Sequence, residues 1–370
     1  MAENSTIKNL EEALKKLEDK TSKILFYVFD SRGVPNGELS YIYELAYKLK
    51  ELGYNVQILY SEKEFVGVES WLGKKYAELP HYNIEKDAVD VAACDVLLIP
   101  DVCVQVMTKT KEFPCKRVMI LENVAYLTEM IPMGVSLDDL RIREIIAASQ
   151  GLADFAKKNF GDVMVHVVEN CVNDIFFDKS NEPKKLIINV ISKSATDTNT
   201  ILKPFYWKYP NYAWVAFREL KNIPREDYAK ALKEGFATIW VDSLTNFGIS
   251  ALEAMACNNV VIGKIPENVP DWLSTSDGDL INNGVWFYNS DNAQDLIASA
   301  IQSFLLDAIP SSLYEEMNKT VNAYTESKQA EKIKRVFVDG ILDERKKELT
   351  IAKNTIKKME DNEGTKTDTE

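Results

Sequence analysis

The feature that most constrains this chain is an alternation of short apolar runs with helical stretches, and it occurs twice. Residues 23–29 form a β-rich apolar run, a loop with Gly33 and Gly37 follows, and residues 40–52 carry apolar side chains at helical spacing. Gly53 then stands where a left-handed helix stop is expected, and residues 55–60 read as the next strand. Strand, loop, helix, glycine, strand is a βαβ unit, and such units assemble into a parallel sheet covered by helices. Further strands are expected at 96–99, 117–121, 145–148 and 163–168, with a helix at 151–160 between the last two. A polar, Pro-containing stretch at 181–185 reads as a linker. Beyond it the alternation resumes, with strands at 186–191, 213–217, 238–241, 259–263 and 285–288 and helices at 227–234 and 247–256. The expected fold class is α/β: two Rossmann-like doubly wound domains, residues 23–180 and 184–310, facing a cleft at the carboxyl ends of their strands.

Flanking segments complete the plan. Residues 1–22 form an N-terminal extension in which Ile7, Leu10, Leu14 and Leu17 fit a short amphipathic helix or a partly ordered leader. Residues 311–358 read as charged C-terminal helices, and 359–370 as a disordered tail without apolar content. At 370 residues, with 46% hydrophobic composition, the chain is long enough for two cores. A net charge of −13 argues against a surface built for nucleic acid, although a single groove can differ in sign from the whole. The Arg345–Lys347 basic run is flanked by Glu344 and Glu348 and reads as a solvated face.

Five cysteines without a CxxC pair point to reduced thiols, a cytoplasmic location and no disulfide framework. With only His81 and His166 available, a histidine-based zinc site is not expected. Asp277 and Asp279 form a DxD in a Ser/Gly-rich turn that shapes a loop, so no metal and no cofactor are expected. No run approaches the roughly 18 consecutive apolar residues that cross a bilayer, so no integral membrane segment is expected. The aromatic residues Phe205, Tyr206, Trp207, Tyr209, Tyr212 and Trp214 are expected to pack under the second sheet, with sugar stacking as the alternative.

Residues 241–263 carry the most chemistry. They read as a strand, a loop with Ser243, Thr245 and Asn246, a Phe247-Gly248 turn, a helix and another strand. Unpaired N–H groups at such a helix start, with the helix dipole, attract phosphate. Glu253 lies about two turns into the helix, where a carboxylate can accept hydrogen bonds from ribose hydroxyls.

This stretch resembles the donor-binding signature of retaining GT-B glycosyltransferases of the family 4-like group. Asp242, Ser243, Thr245, Asn246, Phe247 and Gly248 align with its first half, and Leu252, Glu253, Ala254, Met255 and Ala256 with its second. Three more segments resemble that family in order: Gly33 to Gly37 with the helix ending at Gly53, Val168 to Phe176, and Asn283 to Asp291. The resemblance implies a metal-independent transferase that moves a sugar from a nucleotide-sugar to an acceptor hydroxyl with retention. It implies ribose binding by Glu253, donor contacts by the Phe247 and Gly248 amides, and a pyrophosphate contact by Lys193. Gly33 and Gly37 match the loop near the donor phosphates and the acceptor.

Several positions depart from the family pattern. The first carboxylate of its paired-Glu motif falls on Thr245, which offers only a hydroxyl, and the following Gly is Asn246. The second basic residue falls on Thr198, the acceptor-domain His is replaced by Glu122-Asn123, and Cys171 replaces a turn Gly. Arg218, at the end of the expected 213–217 strand, either supplies the missing charge or is a surface residue. Asp101 and Glu122 follow expected strands and either orient an acceptor hydroxyl or cap local structure. Two other functions share this pattern: a non-catalytic GT-B homologue serving as an acceptor-binding or regulatory subunit, and a viral-type transferase glycosylating modified DNA bases. The acceptor class (glycan, protein, lipid or modified DNA) and the oligomeric state are not readable from the residues.

Overall fold

A computed structural model of the chain describes residues 22–180 and 182–342. The expected 7–17 helix, the 345–347 basic run and the 359–370 tail lie outside the described residues.

The first domain runs β1 (Lys23–Tyr27), α1 (Gly37–Glu51), β2 (Asn55–Tyr60), β3 (His81–Asn83), β4 (Val96–Pro100), α2 (Val104–Lys109), β5 (Lys116–Leu121), α3 (Val124–Met130), β6 (Glu144–Ala147), α4 (Gln150–Asn159) and β7 (Met164–Val167). The second runs β8 (Lys185–Ser192), α5 (Ala195–Lys208), β9 (Ala216–Glu219), α6 (Arg225–Glu234), β10 (Gly235–Val241), α7 (Ile249–Ala256), β11 (Val260–Lys264), β12 (Val285–Phe287) and α8 (Ala293–Leu305). Helices α9 (Ser311–Val321) and α10 (Glu326–Ile333) follow, and α10 continues as a π-helical stretch, Lys334–Ile341.

Both sheets are parallel, as the alternation predicts. Their orders are β3-β2-β1-β4-β5-β6-β7 and β12-β11-β10-β8-β9. Strand order therefore reverses between β1 and β4 in one domain and between β8 and β10 in the other. Crevices open at the carboxyl ends of strands at such switch points.

Local chemistry explains the element ends. Helix α1 starts earlier than its apolar spacing suggests, because the Asn36 side chain accepts the Leu39 N–H at 2.9 Å. Gly53, at φ +88°, ends it as expected. Strand β3 is missing from the sequence reading, since three residues carry too little periodicity to register. Strand β9 begins at Ala216 rather than 213, because Pro210–Tyr212 is wound into a 3₁₀ turn first. The aromatic cluster divides: Phe205 and Tyr212 are buried, whereas Trp207 is 77% and Trp214 62% exposed, against the packing expected for both.

The C-terminal helices tie the halves together. Met317 and Val321 of α9 join the core around α7, while Ile333, Val336, Phe337 and Ile341 join the core of the first domain. The chain crosses between them at Val172, whose N–H bonds the Tyr324 carbonyl at 2.8 Å. All five cysteines are free thiols. No described helix is long and apolar enough to cross a membrane.

Candidate functional site

The two switch points face each other across one cavity of about 840 Å³. That size suits a small-molecule site, typically about 300–1,000 Å³. One wall comes from the second domain: Lys193 after β8, Asp242, Leu244, Thr245 and Phe247 to Ser250 around the β10–α7 turn, Glu253 of α7, and Arg225 and Tyr228 of α6. The other comes from the first: Phe29, Asn36 to Glu38 at the head of α1, Glu122-Asn123 after β5, and Tyr126, Glu129 and Met130 of α3.

Gly248 organises the second wall. It caps α7 in the left-handed conformation, at φ +72°, and a Cβ there would lie 2.8 Å from the Trp240 ring. The Thr245 hydroxyl accepts the Gly248 N–H at 2.9 Å, and Trp240 donates to the Ser250 hydroxyl at 3.0 Å. Helix geometry leaves the Ile249 and Ser250 N–H groups without intrahelical acceptors, and both residues line the cavity. Gly248→Ala is expected to lose about 3 kcal/mol, the sum of left-handed strain and overpacking against Trp240. A thermal midpoint unchanged from wild type would contradict that reading of the turn.

Glu253 sits deeper on α7. Burial pushes its carboxyl up to about 8, against the pull of Arg225. The Tyr228 hydroxyl lies beside it, buried and without a hydrogen bond of ordinary geometry. Arg225 was not among the residues singled out from sequence. Its guanidinium pairs with Glu44 of α1 at 2.7 Å, and its N–H bonds the Trp71 carbonyl at 2.8 Å, so it joins the two domains beside Glu253. A sequence signal existed: a cation in the first turn of a helix opposes the helix dipole and calls for a specific partner.

Lys193 stands at the switch point between β8 and β10. Burial raises the carboxyl groups of Asp242 on its own domain and Glu38 on the other, and Lys193 pulls both back, so its charge lies between the walls.

The first-domain wall is acidic. Glu122 lines the cavity, and its Oε1 is fully buried without a hydrogen-bond partner. Burial holds its carboxyl well above the usual range, reinforced by Glu38 and Asp101. Burial likewise pushes Glu38 up to about 7 and Asp101 to about 6. Glu38 was also missed; its signal was an acid in the first turn of a helix that opens on a glycine loop.

The remaining expected residues divide by place. Gly37 lines the cavity with open space where a Cβ would point, but Gly33 forms a turn against Val66 and does not reach it. Ser243 and Asn246 also stay off the cavity. Asn246 instead accepts the Val124 N–H across the cleft at 3.1 Å, and the Ser243 carbonyl accepts the Glu267 N–H at 3.2 Å. Asp101 lies behind the wall, 1% exposed, where one carboxylate oxygen accepts the Glu122 and Asn123 N–H groups at 2.8 Å each. That is the capping alternative: Asp101 positions the Glu122 loop and does not meet a ligand itself.

Arg218 requires a plain correction. It pairs with Glu234 at 2.7 Å and bonds Asn189 at 3.0 Å and the Ala231 carbonyl, toward the amino ends of the strands and away from the cavity. Asp277 and Asp279 lie in an exposed turn around Gly278, at φ +87°. His81 bonds Tyr43 at 2.9 Å, and His166 meets Glu144 at 2.8 Å.

No protein-family model matches this chain, and no curated protein matches it. Solved structures do match. A glycosyltransferase from Rickettsia africae ESF-5 superposes with TM-score 0.60 at 15% identity, over 86% of this chain and 99% of that one. The pneumococcal O-GlcNAc transferase GtfA, solved with UDP and GlcNAc, gives 0.61 at 8% identity, over 86% and 99%. An α-glucosyltransferase solved with UDP and a 13-mer DNA containing an HMU base gives 0.59 at 10%, over 85% and 100%. The shared architecture, two parallel α/β sheets flanked by helices and facing a cleft, is the GT-B fold.

Proposed function

We propose that this GT-B chain is a metal-independent glycosyltransferase of the retaining, family 4-like type, moving a sugar from a nucleoside diphosphate sugar to an acceptor hydroxyl. One observation carries the reading: a single cavity joins the α7 N-terminus, Lys193 and Glu253 on one wall to a separate polar wall on the other. In this reading the Ile249 and Ser250 N–H groups and Lys193 hold the diphosphate. Glu253 accepts the ribose hydroxyls, about one turn along α7 from the phosphates. The Thr245 oxygen receives the Gly248 N–H, so its own proton is left to donate to a sugar oxygen. Stabilising the departing diphosphate drives the reaction, and the acceptor hydroxyl attacks from the face that the leaving group vacates. The departing phosphate takes the acceptor proton, so no protein nucleophile is needed.

Two neighbouring structures contain UDP, which makes a nucleoside diphosphate the first ligand to try. The test is a panel of UDP-, GDP- and ADP-sugars scored for release of free diphosphate nucleotide and for the anomeric configuration of the product. One donor is expected to turn over, and Glu253→Ala to raise its KM about tenfold or more, the scale of losing a buried hydrogen-bond partner. Donor binding without release in any pairing would favour the non-catalytic subunit. The DNA-modifying alternative lacks support from the acceptor wall, because no Lys or Arg stands among the described first-domain residues that line the cavity.

A further inference from the structure

The acceptor wall has a chemistry that the transfer reaction alone does not require. Glu38 comes from the head of α1, Asp101 from the end of β4 and Glu122 from the end of β5, so the β1/β4 switch point gathers three carboxyl groups from three elements. Asp101 raises the carboxyl of Glu38, and both raise that of Glu122. Asp101 is spent on backbone N–H groups, which leaves Glu38 and Glu122 facing the cavity. Charging buried carboxyl groups without a counter-charge is costly, so both are held toward their protonated forms until a cation reaches them.

Other charged residues lining the cavity are Glu129 on α3, Asp242 after β10, Lys193 after β8, Lys221 after β9, Glu253 on α7, and Arg225 and Glu44 in their ion pair. Lys193 is the cation felt by Glu38, and it comes from the donor domain. A bound diphosphate would draw on the same ammonium. The acidic pair then faces the acceptor space with the cation that acts on Glu38 claimed from the other side. A metal ion is a poor candidate for the vacancy in charge: among the described residues no three His, Cys, Asp or Glu side chains converge as a metal site would. The unpaired Glu122 Oε1 points to a hydrogen-bond donor brought by the ligand.

We propose that the acceptor is a hydroxyl compound bearing a protonated amine, such as an amino sugar, whose ammonium group sits between Glu38 and Glu122. This rests on the glycosyltransferase reading for the identity of the acceptor, but not for the amine site itself. An ammonium supplies three donors and the positive charge that lets the buried carboxyl groups ionise, so it satisfies Glu122 Oε1 and forms an ion pair together. A neutral polyol supplies donors but no charge to favour ionisation of the pair.

The experiment uses the full chain, saturated with UDP or left free, and three probes: glucosamine, glucose and N-acetylglucosamine. Binding is measured by ligand-observed NMR at a pH where the amine is protonated. Glucosamine is expected to bind at least tenfold more tightly than either neutral probe. In Glu38→Gln, Glu122→Gln and the double variant that preference collapses toward unity while UDP binding, assigned to the opposite wall, stays within about twofold, which separates loss of charge recognition from loss of fold. Equal binding of all three probes, or a preference that survives the double substitution, overturns the proposal. Binding is read without turnover, so the two readings fail separately: an inert chain that still selects glucosamine refutes the transferase, and a transferase indifferent to the amine refutes this site.

Discussion

Lys193→Ala is expected to lower kcat/KM for the active donor about a hundredfold, the usual scale for removing one group that stabilises charge on a leaving oxyanion. The GT-B family pattern has two basic residues near the pyrophosphate. Here the second position is Thr198, and Arg218, the sequence candidate to replace it, is held by Glu234 at 2.7 Å on the far side of the sheet. The burden therefore falls on Lys193 and the α7 N-terminus. Lys193→Arg is expected to recover only part of the loss, because a guanidinium is wider and planar where the ammonium is a compact point charge. The measurement is steady-state kinetics with donor varied at saturating acceptor. A Lys193→Ala enzyme within threefold of wild type would place the diphosphate elsewhere. The same substitution leaves the far side of the fold untouched, so its thermal midpoint serves as the control.

Arg225→Ala has the largest expected effect on stability. Arg225 and Glu44 form an ion pair at 2.7 Å, with side chains 13% and 9% exposed. Burial pushes the Glu44 carboxyl up, and the guanidinium pulls it back. Removing the arginine strands a buried carboxyl, and breaking such pairs costs about 3–5 kcal/mol. At about 2 °C per kcal/mol, that is a fall in thermal midpoint of roughly 6–10 °C. The companion Glu44→Leu/Arg225→Met double variant removes both charges and is expected to recover most of the loss, because apolar replacement of a whole buried pair is often close to neutral. Equal destabilisation in the single and double variants would show that packing, and not charge, holds this joint. The pair also reaches Glu253, so Arg225→Ala is expected to weaken nucleotide binding beyond its effect on folding.

These two residues show where sequence reading stops. Lys193 was legible, because it follows an apolar strand at the place where a donor domain presents a cation. The choice between Arg218 and Arg225 was not. Both lie near the end of a strand or the start of a helix, and their partners, Asn189, Glu234 and Glu44, are brought to them by pairing and docking over long separations. The three-residue shift of β9, set by the 3₁₀ turn before it, moved Arg218 from the strand end into the strand. Asp101 and Glu122 divided for a similar reason. Both follow parallel neighbours β4 and β5, but only the folded sheet brings the Asp101 carboxylate onto the N–H groups of the next loop.

By itself the sequence determined what depends on near neighbours. The period of its apolar residues set the helices and strands, Gly53 and Gly248 marked backbone that only glycine adopts freely, and the alternation required two parallel sheets. It also placed Lys193, Glu253 and the α7 N-terminus on one side of a cleft. The tertiary structure alone decided which polar groups face the cavity and which are spent on the protein. Burial and partnership are set by residues distant in sequence, and the cost of an unpaired buried charge settles each case. That decision withdrew Arg218, Gly33, Ser243 and Asn246 from the cavity. It brought in Arg225 and Glu38.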